Sequence, residues 1–212
     1  MDAKGATESL EEIQENVHSW CYFDDHRGYV LMAIARKTHN DDITNAGEIT
    51  HRRVITDRSG VTHATRDLWT LAEADTDHEY RFYLTVNARD TEQAFGNFLQ
   101  AQTEWLTDAV RGNDDARDKM GRVGSEWISE VHRPRNKCDS YFQFDLDSDK
   151  QRDLDALASS LGATTEVRLI RETPNGWHII TEPFAYPEWE PPIEYDDLDT
   201  DGQLHVGVSP SQ

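Results

Sequence analysis

Asp145 and Asp147 close the apolar run of YFQFDLD (residues 141–147), and His178 opens a second run, WHII, just after the turn TPNG at 173–176. Side chains alternate between the faces of a strand, so Phe142, Phe144 and Leu146 point one way while Gln143, Asp145 and Asp147 point the other. One face feeds a core and the other presents two carboxylates. Such a pair suits Mg²⁺ or Mn²⁺, which take a few carboxylate oxygens and leave the rest of the shell to phosphate and water. His178 would then contact a phosphate. The same residues also fit a solvated strand end that suits the dipole of the next helix, with an exposed or hydrogen-bonded histidine nearby. Both readings remain open on the residues alone.

The elements that must position these groups are legible around them. The strand Tyr141 to Asp147 leads into Ser148, a good N-cap, and into a helix with Leu154, Leu157, Ala158 and Leu161 that Gly162 closes. Glu166 to Arg171 is the next strand, and Trp177 to Thr181 returns antiparallel after the turn. Trp177 and Ile179 share one face, with His178 on the other. Arg168 and Arg171 lie on different faces, so only one can face His178, where it would neutralise phosphate charge. Past Pro183 the chain is rich in Pro and aromatics. In DDLDTDGQLHVGV, Asp201-Gly202 reads as a hairpin turn between Glu194 to Leu198 and Gln203 to Val208. Upstream, HRPRNK (132–137) is the densest basic cluster. Its Arg133, Arg135 and Lys137 read either as a connecting loop that offsets local acidity or as a phosphate-contacting segment.

The earlier part of the chain carries less chemistry. Residues 1–18 read as a flexible N-terminal arm or a frayed helix with Leu10 and Ile13 as its apolar positions, 19–208 as a single α+β domain with a boundary near 139 between its two parts, and 209–212 as a tail. WCYFDDHRGYVLMAIARKT (20–38) suggests a hairpin, with a further strand at Arg53 to Thr56 and a turn at Ser59-Gly60. ATRDLWTLAEA (64–74) is a short helix and YRFYLTVN (80–87) a clear strand. Asp90 or Thr91 caps a long helix whose apolar residues, Phe95, Phe98, Leu99, Trp105 and Leu106 among them, read as core. A second helix spans Asp115 to Val131, weakened by Gly121 and Gly124. The fold class predicted is α+β, a mixed or antiparallel sheet with flanking helices and a C-terminal βαββ unit.

Composition bounds the partners. The chain has 212 residues with 41 acidic against 21 basic, a net charge of −20, and only five of the basic residues are lysine. The acidity is spread throughout, which fits adaptation to concentrated salt. Acidity would ordinarily argue against nucleic acid, but in molar salt the Debye length is about 3 Å and only local charge matters. Cys21 and Cys138 stand far apart and outside any CxxC pattern, which favours reduced thiols over a disulfide framework or zinc site. With no signal-like run and nothing near the roughly eighteen apolar residues of a membrane span, a soluble cytoplasmic protein is expected.

Phe144-Asp145-Leu146-Asp147 followed by Asn175-Gly176-Trp177-His178 resembles the archaeo-eukaryotic primase (primase-polymerase) superfamily, small viral members above all. That family has a first motif of the form hydrophobic-D-hydrophobic-D and a second of the form small-x-His. The resemblance covers roughly residues 140–208 and implies a primase-palm-like βαββ unit. It implies that Asp145 and Asp147 bind catalytic Mg²⁺ or Mn²⁺, that His178 contacts the incoming nucleotide, and that a third acid completes the site. Asp197 matches that acid best, with Asp199 and Glu194 as competitors. Arg168, Arg171 and Asn175 would assist at the phosphates, and Arg133, Arg135 and Lys137 at template or primer. The expected partners are nucleic acid, a nucleoside triphosphate and replication proteins. A metal-dependent nuclease and a non-catalytic nucleic-acid or replisome-binding protein of the same fold are the alternatives.

Overall fold

The computed structural model describes residues 8–38, 40, 43 and 47–209. They form an α+β architecture of two antiparallel sheets with flanking helices. The first sheet is built from β1 (Arg27–Arg36), β2 (Glu48–Ile55), β3 (Arg81–Thr85), β4 (Arg89–Asp90) and β9 (Gln203–Val208), in the order β2-β1-β3-β9 with β4 beside β1. The second contains β5 (Phe142–Leu146), β6 (Val167–Glu172), β7 (Trp177–Thr181) and β8 (Asp197–Asp199), in the order β6-β7-β5-β8. Helix α6 (Gln151–Thr164) joins β5 to β6, completing the βαββ unit.

The first sheet buries one face against α1 (Leu10–Trp20) and α2 (Arg58–Ala74), where Ile13, Val17, Leu68, Leu31, Phe82 and Leu84 are inaccessible to solvent. Its other face, through Val30, Met32, Ile34 and Tyr83, meets α3 (Thr91–Val110) and α5 (Val123–Val131), with α4 (Asp114–Gly121) alongside. The second sheet packs Phe144, Leu146 and Ile179 on Leu154, Leu157 and Leu161 of α6. Phe184, Trp189 and Tyr195 of the Pro- and aromatic-rich segment ring Phe144 edge-on or stacked, which explains how an irregular stretch covers a sheet face. Ile180, on the opposite face of β7, belongs to the core of the first sheet and joins the two halves.

Several expectations are corrected. Of the two readings of the N-terminal stretch, residues 10–18 follow the helix and not the arm, because a capping box at Ser9 and Glu12 starts α1 and Ile13 and Val17 anchor it; residues 1–7 lie outside the described residues. Trp20 to Phe23 form no strand, and β1 takes β2 as its hairpin partner instead. Ser59-Gly60 is the first turn of α2, since Asp57 accepts the Gly60 N–H as its N-cap. The helix foreseen over 115–131 breaks at Arg122 between its two glycines, giving α4 and α5. Lys150, not Ser148, precedes α6, and Gly162 lies inside it. Phe98 is buried, but Phe95, Leu99 and Leu106 on α3 are exposed, so the helical stripe is only partly core.

The largest correction concerns the last two strands. Asp201-Gly202 is not the turn of a hairpin: β8 pairs with β5 in the second sheet and β9 with β3 in the first. Leu204 and Val206 are drawn into the larger core, and a Cβ on Gly202 would stand 2.6 Å from Oε1 of Gln143, so a larger residue at this crossing would have to push the Gln143 side chain aside. The chain thus stitches the sheets together at the edge of a cleft between them. Among the described residues no helix is long and apolar enough to cross a membrane.

Candidate functional site

Antiparallel pairing sets one row of side chains across the second sheet. Arg171 of β6 pairs with His178 of β7, His178 with Asp145 of β5, and Asp145 with Asp197 of β8. Cross-strand partners share a face, so the four groups stand side by side. A bulge in β6 between Val167 and Leu169 helps decide which arginine joins: Arg171 faces inward, while Arg168 is exposed and paired with Glu166 and Glu182.

This row borders a cavity of about 520 Å³ lined by Asp145, Asp147, Asp197, Asp199, Asn175 and His178 on one side. The first sheet supplies the facing wall, with Arg36, Arg81, Tyr83 and His205. Arg36 lies over the Tyr83 ring at 5.2 Å, and Tyr83 meets His205 edge-on at 5.6 Å between centroids. The cleft is therefore polarised, carboxylates against guanidiniums.

The backbone holds the acids close together. Asp196 donates its N–H to the Asp145 carbonyl at 2.9 Å, and its side chain accepts the Asp147 N–H at 2.6 Å. Gly176 explains the small residue before the histidine: a Cβ there would lie 1.9 Å from the Leu146 carbonyl oxygen, so the turn packs directly on the end of β5. Burial, then repulsion from Asp147, Asp196 and Asp197, pushes the Asp145 carboxyl up to about 6. Burial and Asp196 also raise Asp147. A bound cation would relieve this repulsion, and carboxylate oxygens are the donors Mg²⁺ or Mn²⁺ take, but as they stand Asp145, Asp147 and Asp197 do not bring three donor atoms within 4.8 Å of one another.

His178 is a neutral ring. Burial and then Arg171 push it down to about 4, and its Nδ1 accepts the His205 backbone N–H at 3.4 Å. The proton then sits on Nε2, 3.7 Å from Asp145 Oδ1, a contact too long for a hydrogen bond and, with a neutral ring, not an ion pair. Burial, followed by His178, Arg81 and Arg171, pushes His205 down to about 3. Its Nε2 is buried without a hydrogen-bond partner.

Of the sequence-derived candidates, Asp145, Asp147, His178, Asp197 and Asn175 converge on the cleft, with Arg171 directly behind His178. Asp199 joins them across from Gln143, whereas Glu194 faces a neighbouring groove with Asp147 and Asp196. Arg133, Arg135 and Lys137 do not line the cleft: both arginines pair with the buried carboxylate of Glu130, and Lys137 Nζ donates to the Thr200 carbonyl. Sequence reasoning missed Arg36, Arg81, Tyr83 and His205. A faint signal existed in YRFYLT and QLHVGV, where Arg81, Tyr83 and His205 alternate with buried apolar residues.

No family model matches the chain, and no curated protein or solved structure matches it.

Proposed function

We propose that the chain is a metal-dependent nucleotidyltransferase acting on nucleic acid, of the primase-polymerase kind its motifs resemble. The observation that carries this reading is the row His178, Asp145, Asp197, opening onto a cleft that Arg36 and Arg81 also line, with Arg171 paired to His178 outside the lining. Asp145, Asp147 and Asp197 would hold Mg²⁺ or Mn²⁺, which when bound stabilises charge on the attacking and leaving oxygens. The neutral His178 offers an Nε2 proton to a phosphate oxygen. Burial, with Arg171 adding to it, keeps that ring from gaining a second proton, so it stays neutral beside the carboxylates. Arg36 and Arg81 face the acids across the cleft and would take the triphosphate charge that the metal leaves uncompensated. Template, primer and replication proteins are the partners this reading calls for.

The test is a labelled primer–template incubated with Mn²⁺ and nucleoside triphosphates in high salt. Lengthening of the strand, lost in Asp145→Asn, supports the proposal. Shortening would assign the same carboxylates to a nuclease. Strand binding without either change, unaffected by Asp145→Asn, would leave a non-catalytic binder and overturn the enzyme reading.

A further inference from the structure

We infer that His26, Asp90 and Cys138 form a separate binding site for a zinc-class transition-metal ion, Zn²⁺ or Co²⁺. One donor atom from each lies within 4.8 Å of the other two. None of the three lines the cleft. Zinc bonds of about 2.0–2.3 Å place tetrahedral donors roughly 3.5 Å apart, so small side-chain rotations close the set. Imidazole nitrogen, carboxylate oxygen and thiolate sulfur together favour Zn²⁺ or Co²⁺ over Mg²⁺, which prefers oxygen alone.

The surroundings fit a metal. Asp24 lies beside His26 with Oδ1 3.5 Å from Nδ1, but that oxygen is already taken by the backbone N–H groups of His26 and Arg27, so the ring is left open to a ligand rather than locked by the carboxylate. Asp90 uses Oδ1 to cap α3 through the Gln93 N–H, which leaves Oδ2 free to bind. Cys138 is a free thiol, partly accessible, and its backbone N–H is fixed on the Ala88 carbonyl at 2.8 Å. The nearby cations are already neutralised: Arg27 is bidentate on Asp139 and touches Asp24, and Arg89 pairs with Asp201. On binding, the thiol proton passes to solvent as the metal–sulfur bond forms, and water takes the fourth position.

The three donors come from the loop before β1, the cap of α3 and the segment entering β5. A metal there clamps the approach to the strand that carries Asp145. The sequence spacing of two lone cysteines hides it, because only one of them takes part.

The test is titration of the reduced full-length chain with Co²⁺ in high salt, read by absorption. One equivalent should give a sulfur-to-cobalt charge-transfer band and tetrahedral visible bands, displaced by Zn²⁺ and untouched by excess Mg²⁺. Cys138→Ser should abolish the charge-transfer band. His26→Gln, at an exposed position, removes a direct ligand and should weaken binding by more than the roughly 10- to 100-fold that loss of an outer-shell partner costs. Asp145→Asn should leave the band unchanged, so failure here and failure of the cleft reading are distinguishable. Absence of the band in folded wild type, or its persistence in His26→Gln at unchanged affinity, would overturn the site.

Discussion

Asp197 stands directly across from Asp145 on the adjacent strand, so two carboxylates meet at the mouth of the cleft with Asp147 just beyond. Neither residue is near the other in the chain. Their juxtaposition exists because β8 adds to the edge of the βαββ unit before the chain crosses to the other sheet. Without a cation, burial first and then repulsion from Asp147, Asp196 and Asp197 push the Asp145 carboxyl up.

Removing one of those charges should therefore stabilise the metal-free protein. Between the free value of 3.8 and the folded value of about 6, the folded state keeps a proton that the unfolded chain releases. The penalty thus appears as pH rises through this window and is complete above it. Asp145→Asn should raise apo stability at pH 7.5 by on the order of 1 kcal/mol, allowing for screening of a partly exposed group. Urea unfolding with a chelator present measures it, and the gain should shrink at pH 4.5.

Arg36 and Arg168 are both exposed and ion-paired, Arg36 with Glu48 and Arg168 with Glu166 and Glu182, but only Arg36 lines the cleft. Arg36→Ala should weaken binding of a metal-bound nucleotide about tenfold, or about 1.4 kcal/mol, without changing metal affinity alone. Arg168→Ala removes a surface pair with Glu166 and Glu182 and should change neither. Calorimetric titration with Mn²⁺ and nucleotide separates the two.

Two glycines should respond with opposite signs. Gly176→Ala forces a Cβ into the Leu146 carbonyl and should cost about 1–3 kcal/mol while displacing both Asp147 and His178. Gly162→Ala, inside α6 with nothing within 4 Å, should stabilise by about 0.5–1 kcal/mol. Thermal melting of both variants measures the pair.

The histidines set an acid limit. His178 and His205 bind protons only near pH 4 and 3 when folded, whereas the free ring does so at 6.5. Between those values the unfolded chain holds more protons, so stability is lost as pH falls from 6.5. The loss by pH 5 should be on the order of 1–2 kcal/mol for each ring, outweighing the smaller gain from Asp145. His205→Gln should flatten the curve between pH 7 and 5 in urea unfolding.

The βαββ unit was legible because its signals are local. Alternation placed Asp145 on the face opposite Phe144, and the NG turn put His178 two residues on, on a strand returning beside β6; that this strand also pairs with β5, setting His178 against Asp145, was not stated by either signal. Asp197 was reachable only as the best late acid, since nothing local states that β8 joins β5. The facing wall was not legible at all. Arg36, Arg81 and His205 come from strands whose pairing spans most of the chain, and the split of β8 from β9 depends on burial of Leu204 and Val206 that a hairpin pattern does not encode. Of the two readings of the basic run at 133–137, the loop that offsets local acidity is the one found, since Glu130 lies close by and takes the charge of both arginines instead of phosphate.

The most direct test of the central claim is the Mn²⁺ dependence of nucleotide binding, measured by calorimetry on wild type and on the Asp145→Asn/Asp197→Asn double variant. The account predicts that wild type binds nucleoside triphosphate tightly only with Mn²⁺ and that the double variant loses this dependence together with most of the affinity. Equal nucleotide binding with and without metal, or an unchanged metal requirement in the double variant, would contradict it.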